Sequence, residues 1–111
     1  MVRLVAEVGG QVVGNGQLTI HHRKGEIGSL VVAPSHRRRG IGNALLLALI
    51  AEARERGLRE VELAVGVAPP WVRAWYERRG FRFVRERVLP GDERVAVLRM
   101  VLSSRQGNAQ E

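Results

Sequence analysis

The segment Ser35–Gly42, which reads SHRRRGIG, constrains the fold of this chain more than any other feature. The apolar run SLVVAP precedes it, and the still more apolar run NALLLALIAEA follows it. The first run has the composition of a strand that ends before Pro34, and the second has helical periodicity with apolar side chains on several faces. The chain therefore places arginines and glycines at a strand-to-helix junction beside its own core.

A junction of this kind is suited to binding an anion. A helix that begins at Gly40 or Ile41 directs its first unpaired N–H groups, and the positive end of its dipole, into the preceding loop. The arginines add positive charge, and the glycines let another molecule approach the backbone closely. A pyrophosphate fits such a site. The lysine of a P-loop is missing and the glycine spacing is not that of a dinucleotide fold, so an arginine-rich surface turn is the alternative.

Composition narrows the class of protein. A length of 111 residues predicts one domain. The absence of cysteine excludes disulfides, thiolate metal sites and a covalent cysteine intermediate. The net charge of +7 predicts attraction to nucleic acid, to a membrane or to a phosphorylated cofactor. The N-terminus lacks a signal pattern and the longest apolar run, Ala44 to Ala51, is too short to span a bilayer, so we expect a cytoplasmic protein.

The pattern along the chain predicts an α+β fold with a mixed sheet, in the order β-β-β-α-β-α-β-β. The helices are Gly40–Arg56 and WVRAWYERR, the second opened by Pro69-Pro70 and closed by Gly80. The strands are VRLVAEV, QVVGNGQLTIHH, EIGSLVV, LREVELAV, FRFVRERV and RVAVLRMVL. The Gly-Asn-Gly in the second strand suits a bulge. Residues 1–102 form one domain in this interpretation, and residues 103–111 form a disordered polar tail.

Two motifs, in the same order along the chain as in a known protein family, resemble that family. The stretch LVVAPSHRRRGIGNALL resembles the acetyl-CoA-binding motif of the GNAT family of N-acetyltransferases, whose signature [QR]-x-x-G-x-[GA] is met by Arg37, Gly40 and Gly42. Further along, WYERRGFRFV is similar to the helix-then-strand segment of the family, with matches at Tyr76, Gly80 and Phe81. The resemblance extends over residues 2–102.

The resemblance implies the GNAT fold, with a mostly antiparallel sheet and a parallel pair of strands around the cofactor cleft. It also implies acetyl-CoA as the acyl donor, with no metal. The end of the third strand would pair with the pantetheine arm, and the backbone N–H of Val32 would polarise the thioester carbonyl. The loop after it would hold the pyrophosphate. The expected cofactor-binding residues are Leu30, Val31, Val32, Arg37, Arg38, Arg39, Gly40, Ile41, Gly42 and Asn43.

Catalytic candidates follow from the same resemblance. With no cysteine, we expect direct attack of a primary amine on the thioester in a ternary complex. Tyr76, the single tyrosine, stands where the family places its general acid, although packing alone is the alternative. Glu26 lies fourteen residues before Gly40, as does the catalytic glutamate of the histone-acetylating branch, and is the expected general base. Other members use a glutamate at the position of Ala64; Glu62 or a chain of waters could replace it here.

The sequence departs from the family in two ways. Pro69 stands where many members have an asparagine that helps to hold the cofactor. The resemblance begins at the second strand of the family, so the usual first strand and the two helices after it are missing. We therefore expect a short version whose acceptor site is open or is completed by a partner subunit. An exposed first strand at the sheet edge also predicts a homodimer.

The histidines and tryptophans are less informative about function than these motifs. His21 and His22 would point to opposite faces of a strand, and with His36 they do not form a metal-binding set, which favours a surface or interface role. Trp71 and Trp75 lie one helical turn apart and are expected to pack on the sheet. Two alternatives to the enzyme remain: a non-catalytic acyl-CoA-binding module, and a basic nucleic-acid-binding domain. Dispersed arginines and only 5% aromatic residues disfavour the second.

Overall fold

A computed structural model describes residues 1–102 and contains six strands and two helices in the predicted order. The predicted disordered tail, residues 103–111, lies outside the described residues. A short 3-10 helix, Pro34–His36, precedes the first α-helix. The elements are β1 (Val2–Val8), β2 (Gln11–His21), β3 (Lys24–Val32), α1 (Ile41–Glu55), β4 (Glu60–Gly66), α2 (Pro70–Glu77), β5 (Arg82–Val88) and β6 (Arg94–Val101).

The strands form one mixed sheet in the order β1-β2-β3-β4-β6-β5. Every neighbouring pair is antiparallel except β3 and β4, which run parallel. Their pairing joins Lys24–Glu26 to Glu60–Glu62 and does not continue within the described chain. The mixed sheet with one parallel pair is therefore confirmed, and this pair separates toward the carboxyl ends of its strands.

Both helices pack on the same face of the sheet. Val61, Leu63 and Val65 of β4 are buried in one core cluster. Helix α1 supplies Leu46 and Leu49, both fully buried, and α2 packs against the same cluster. The predicted alternation of β4 is confirmed, since Glu60, Glu62 and Ala64 point to the other side. We call that side, which carries Glu26, Glu62, Arg85 and Arg99, the open face.

Neither helix could cross a bilayer: within residues 1–102, none combines the required length with the required apolar character. Helix α1, the longer of the two, has only 15 residues, against the roughly 20 that a spanning helix needs.

The bulge predicted around Gly14 and Gly16 is present as two shifts of register. One lies between Ala6 and Glu7 on β1, and the other lies between Asn15 and Gln17 on β2. At the first shift Ala6 pairs with Gly14 and Glu7 with Val12, so the extra residue is Val13 of β2. The predicted apolar face of β1 is partly buried as far as Ala6, and Val8 at the end of the strand is 45% exposed. Strand β1 forms one edge of the sheet, as expected; the homodimer stays a prediction.

The parallel pair packs tightly around Gly25 of β3. A Cβ at Gly25 would lie 2.8 Å from Leu18 Cδ1 and 3.0 Å from Leu58 Cδ1, with Val61 Cγ1 at 3.2 Å. These three neighbours close the position from different elements, so no single rotamer change makes room for a methyl group.

We predict that Gly25→Ala lowers the free energy of unfolding by about 1–3 kcal/mol, because the added methyl group overpacks the core. Gly28→Ala on the same strand is the matched control, since a Cβ at Gly28 meets nothing within 4 Å. Urea denaturation measures both variants. A Gly25→Ala protein as stable as Gly28→Ala would contradict the packing described above.

Candidate active site

A cleft of about 1060 Å³ opens between the N-terminus of α1, the end of β3 and helix α2. Tyr76 lines it, and so do nine of the ten predicted cofactor-binding residues. Arg39 belongs to the same loop but does not line the cleft. Five lining residues were not predicted from the sequence: His36, Trp71, Val72, Trp75 and Arg79.

The N-terminus of α1 points unpaired donors into this cleft. Gly40 caps the helix with a φ of 81°, a left-handed conformation that favours glycine, and no side chain among residues 1–102 supplies a capping hydrogen bond. The N–H of Ala44 donates to the carbonyl of Gly40 at 3.0 Å. The N–H groups of Ile41, Gly42 and Asn43 have no partner within residues 1–102, and the first turn contains no acidic residue. This end of α1 can therefore bind an anion.

Gly42 leaves space on the cleft side of α1. A Cβ added there would meet only Val32 Cγ2, at an ordinary contact distance of 3.7 Å. The fold itself therefore accommodates a side chain at this position. Arg37 acts on the neighbouring loop, because its Nε donates to the carbonyl of Val32 at 3.1 Å and ties the loop to the end of β3.

Arg79 joins the two helical walls of the cleft. Its Nε donates to Asn43 Oδ1 at 2.7 Å, and its Nη1 donates to the Trp75 carbonyl at 2.9 Å. Its guanidinium also lies 3.7 Å from the centroid of the Trp75 ring, a cation–π contact. Arg79 thus fixes α2 against the first turn of α1. The sequence carries no signal for this role, because nothing distinguishes Arg79 from the many other arginines.

The packing prediction for the tryptophans is correct for Trp75 and wrong for Trp71. Trp75 is half-buried against the core, whereas Trp71 is 67% exposed and lines the cleft. The reason is that Trp71, in the first turn of α2, points away from the core face of the helix, which Val72, Trp75 and Tyr76 form.

Tyr76 presents its phenol to the cleft from a packed aromatic group. Its ring meets Trp75 edge-on at 4.9 Å and Phe81 edge-on at 5.8 Å between centroids. Burial raises the pKa of the Tyr76 phenol above its ordinary value, so the hydroxyl stays protonated at neutral pH. Within residues 1–102 this hydroxyl has no hydrogen-bond partner. It is therefore free to donate to a group that enters the cleft.

Glu26 lies elsewhere, in a second cavity of about 340 Å³ on the open face. The structure does not bring Glu26 and Tyr76 into one cavity; they lie on the two sides of the gap between β3 and β4. The side chains that line this second cavity are His21, Lys24, Glu26, Glu62, Arg85 and Arg87.

Glu62, the alternative base, is held in a cluster of cations. Arg99 Nη2 donates to it at 2.6 Å, Lys24 Nζ lies at 3.4 Å and Arg85 Nη2 at 3.8 Å. Burial by itself raises the pKa of Glu62, but the hydrogen bonds and charges of Arg99 and Lys24 outweigh it and hold the pKa below its ordinary value. A carboxylate with a low pKa and several partners is a weak proton acceptor.

The histidines are dispersed in the fold. His36 Nδ1 lies 2.8 Å from Ser35 Oγ at the mouth of the cleft, and His21 lines the second cavity. Among residues 1–102, no group of three or more potential ligands is arranged to hold a metal ion.

The family model described as "Acetyltransferase (GNAT) family" matches residues 1–81. The chain belongs to this family. A curated relative, an uncharacterised N-acetyltransferase of Methanocaldococcus jannaschii, is 42% identical over an alignment of 84 residues that covers 69% of this chain and 37% of that protein. The chain thus spans little more than a third of that relative.

Solved structures of GNAT-like proteins have the same architecture. The ribosomal-protein-S18-alanine N-acetyltransferase of Escherichia coli superposes with a TM-score of 0.85 at 22% identity, covering 99% of this chain and 74% of its own. N-acetylglutamate synthase of Neisseria gonorrhoeae, complexed with coenzyme A and N-acetyl-glutamate, gives a TM-score of 0.76 at 25% identity and covers 88% of this chain and 25% of its own. These comparisons confirm the GNAT fold.

The low pKa of Glu62 predicts that the free energy of unfolding depends on pH through this residue. A carboxylate with a depressed pKa in the folded state stabilises the protein above the unfolded-state pKa of about 4.3, and this contribution is lost as the pH falls through the folded-state value. We expect Glu62→Gln to lose about 1–3 kcal/mol of unfolding free energy at pH 7, and to approach the wild type in strong acid.

Thermal or urea unfolding between pH 3 and pH 8 measures this difference. Glu55→Gln is the control, because Glu55 is exposed on α1 and forms no ion pair within residues 1–102. A deficit of Glu62→Gln that is the same at pH 3 and pH 7 would contradict the ion-pair interpretation.

Proposed function

We propose that this protein is an N-acetyltransferase, which transfers the acetyl group of acetyl-CoA to a primary amine by direct attack within a ternary complex. One observation carries the proposal. The phenol of Tyr76, protonated and without a hydrogen-bond partner in the described chain, lines the same cleft as the uncapped N-terminus of α1. An anion site and a proton donor in one cleft are what a phosphorylated thioester donor requires.

The residues of the cleft fit acetyl-CoA. The free N–H groups of Ile41, Gly42 and Asn43 suit the pyrophosphate, and Arg38 adds positive charge beside them. The apolar end of β3 suits the pantetheine arm, with the Val32 N–H as the donor to the thioester carbonyl. The relative from Neisseria gonorrhoeae, which was solved with coenzyme A, supports the same choice. The donor supplies an activated acetyl group.

The protein supplies orientation and proton transfer. The amine must lose a proton before it attacks, and Glu26 on the open face is the proposed acceptor of that proton. The new carbon–nitrogen bond forms as the carbon–sulfur bond breaks, and the nitrogen releases its second proton to solvent. Tyr76 then gives its proton to the departing sulfur and recovers one from solvent. The raised pKa of Tyr76 keeps this donor in its acid form at neutral pH.

We also keep as proposals the cytoplasmic location and a homodimer through the edge strand β1, in which the second copy completes the acceptor site. The edge position of β1 supports the second of these.

The first prediction for this function concerns Gly42. Gly42→Val fills the space that the pyrophosphate needs and should abolish acetyl-CoA binding in calorimetry, while the protein still unfolds cooperatively. Ala44→Val is the matched control, because Ala44 is exposed in the same first turn and does not line the cleft. Its affinity should stay near that of the wild type. Undiminished binding by Gly42→Val would move the cofactor site elsewhere.

The second prediction concerns Tyr76. Tyr76→Phe keeps the aromatic packing and removes the hydroxyl, so the Kd for acetyl-CoA should change little. Turnover should fall by about 10²–10⁴, the usual effect of removing a positioned acid. Calorimetry and a thiol-release assay with a panel of amines measure the two quantities separately.

Other outcomes of the Tyr76 experiment are equally informative. Equal losses in binding and turnover would mean that Tyr76 only shapes the cleft, and undiminished turnover would mean that another group protonates the thiolate. A wild-type protein that binds acetyl-CoA but releases no thiol with any amine would instead be a non-catalytic acyl-CoA-binding module.

A further inference from the structure

We propose that the second cavity, on the open face, is the acceptor site, and that its substrate is a small amine that carries a carboxylate on the same molecule, as a free amino acid does. This inference rests on the proposed acetyltransferase function, because it names the acceptor of that reaction.

The position of the cavity supports this role. The parallel pairing of β3 and β4 ends at Glu26 and Glu62, and both of these residues line the cavity. Beyond that point the strands separate, and Leu30–Val32 of β3 line the cofactor cleft on the other side. The gap between residues 27–32 and 63–66 therefore lies between the cavity and the cleft. In the proposed reaction, an amine held at Glu26 reaches the acyl group beside β3 through this gap.

Most charges around the cavity neutralise one another. Glu62 is paired with Arg99, Lys24 and Arg85, as described above. Glu60, just outside the cavity, lies 3.7 Å from Lys24 Nζ and 3.4 Å from Arg99 Nε. Two carboxylates thus share three cations, and this group carries an excess of one positive charge.

Two residues that line the cavity do not belong to this group of ion pairs. Within residues 1–102, neither Glu26 nor Arg87 forms an ion pair, yet both line the same cavity. The cavity therefore offers one carboxylate, one guanidinium and a positive surround. That combination is complementary to a molecule with one ammonium group and one carboxylate.

Glu26 and Arg87 each bind one end of the acceptor. Glu26 binds the ammonium group and takes its proton, which leaves the neutral amine to attack the thioester carbon. Arg87 binds the carboxylate, for which the planar guanidinium provides two parallel donors. A polyamine would meet Lys24, Arg85 and Arg87 and would be repelled. The volume of about 340 Å³ is at the lower end of small-molecule sites and suits an acceptor of amino-acid size.

The test compares acceptors that differ only in the negative charge. Alanine and alaninamide share the amine and the side chain, as do phenylalanine and phenylalaninamide. Because the amide makes the amine less basic, and so more of it unprotonated at neutral pH, a preference for the acid cannot come from amine ionisation. Spermidine and a peptide amide that begins with alanine complete the panel. We measure thiol release as kcat/KM, and binding by calorimetry with coenzyme A present.

For the wild type, we expect each free amino acid to exceed its amide by about tenfold or more in kcat/KM, the effect of about 1.4 kcal/mol. Arg87→Leu should remove most of this preference, and Arg87→Lys should keep part of it. Arg54→Leu is the matched control: it makes the same change in net charge, and Arg54 is exposed on α1 and lines neither cavity. Its preference should equal that of the wild type.

The results separate failure of this inference from failure of the proposed function. Turnover of amides, spermidine or the peptide that equals or exceeds that of the free amino acids overturns the inference and leaves an acetyltransferase. An acid preference that Arg87→Leu does not reduce also overturns it. Arg87-dependent binding of amino acids without thiol release supports the binding site and overturns the proposed function. A protein that neither binds amino acids nor releases thiol overturns both the inference and the proposed function.

Discussion

The short parallel pairing between β3 and β4 is the contact on which the rest of this structure depends. Among the described residues, it joins the half-sheet β1-β2-β3 to the half-sheet β4-β6-β5 through three residue pairs. On the helical face, Gly25 lets Leu18, Leu58 and Val61 close over the pair. On the open face, Lys24 of β3 spans to Glu60 and Glu62 of β4. Because both faces are fixed here, the strands can separate beyond this point and leave room for a ligand.

The helix that follows β3 is adapted to the same opening. A helix N-terminus is ordinarily stabilised by a serine, threonine, aspartate or asparagine cap, which contributes about 1 kcal/mol. Helix α1 has a glycine there, no acidic residue in its first turn and, within the part of the chain that the structure describes, no capping side chain. Arg37 is engaged with the Val32 carbonyl, and Asn43 with Arg79. The free backbone donors thus remain available between two anchored side chains, which is a stability cost that an anionic ligand would offset.

The order of the elements and the cofactor loop could be predicted from the sequence because their signals are local. Alternation in β4, the Pro69-Pro70 start of α2 and the glycines that end the helices are each readable within a few residues. The SHRRRGIG loop was readable for the same reason, since a strand, a basic loop and a helix N-terminus follow one another directly along the chain.

The remaining features depend on contacts between distant positions. Arg79 meets Asn43 across 36 positions of the sequence, and Arg99 meets Glu62 across 37. Neither pair can be chosen from the arginine pattern, because the choice depends on β6 lying beside β4 and on α2 lying beside α1. The exposure of Trp71 depends likewise on where the core ends beneath α2. The sequence could name Glu26 as a base, but it could not show which charges surround it.

The ion pairs that Lys24 and Arg99 form with Glu60 and Glu62 have two effects. Joining Lys24 to Glu60 and Glu62 holds the two half-sheets together at the point where they begin to separate. The same contacts lower the pKa of Glu62 and occupy its oxygens, which removes the nearest competitor for a substrate ammonium group. Glu26, one strand away and opposite Glu62 in register, forms no ion pair with any residue of the described chain. The ion pairs that stabilise the sheet where β3 and β4 separate therefore also determine which of the two neighbouring glutamates, Glu26 or Glu62, can act on a substrate.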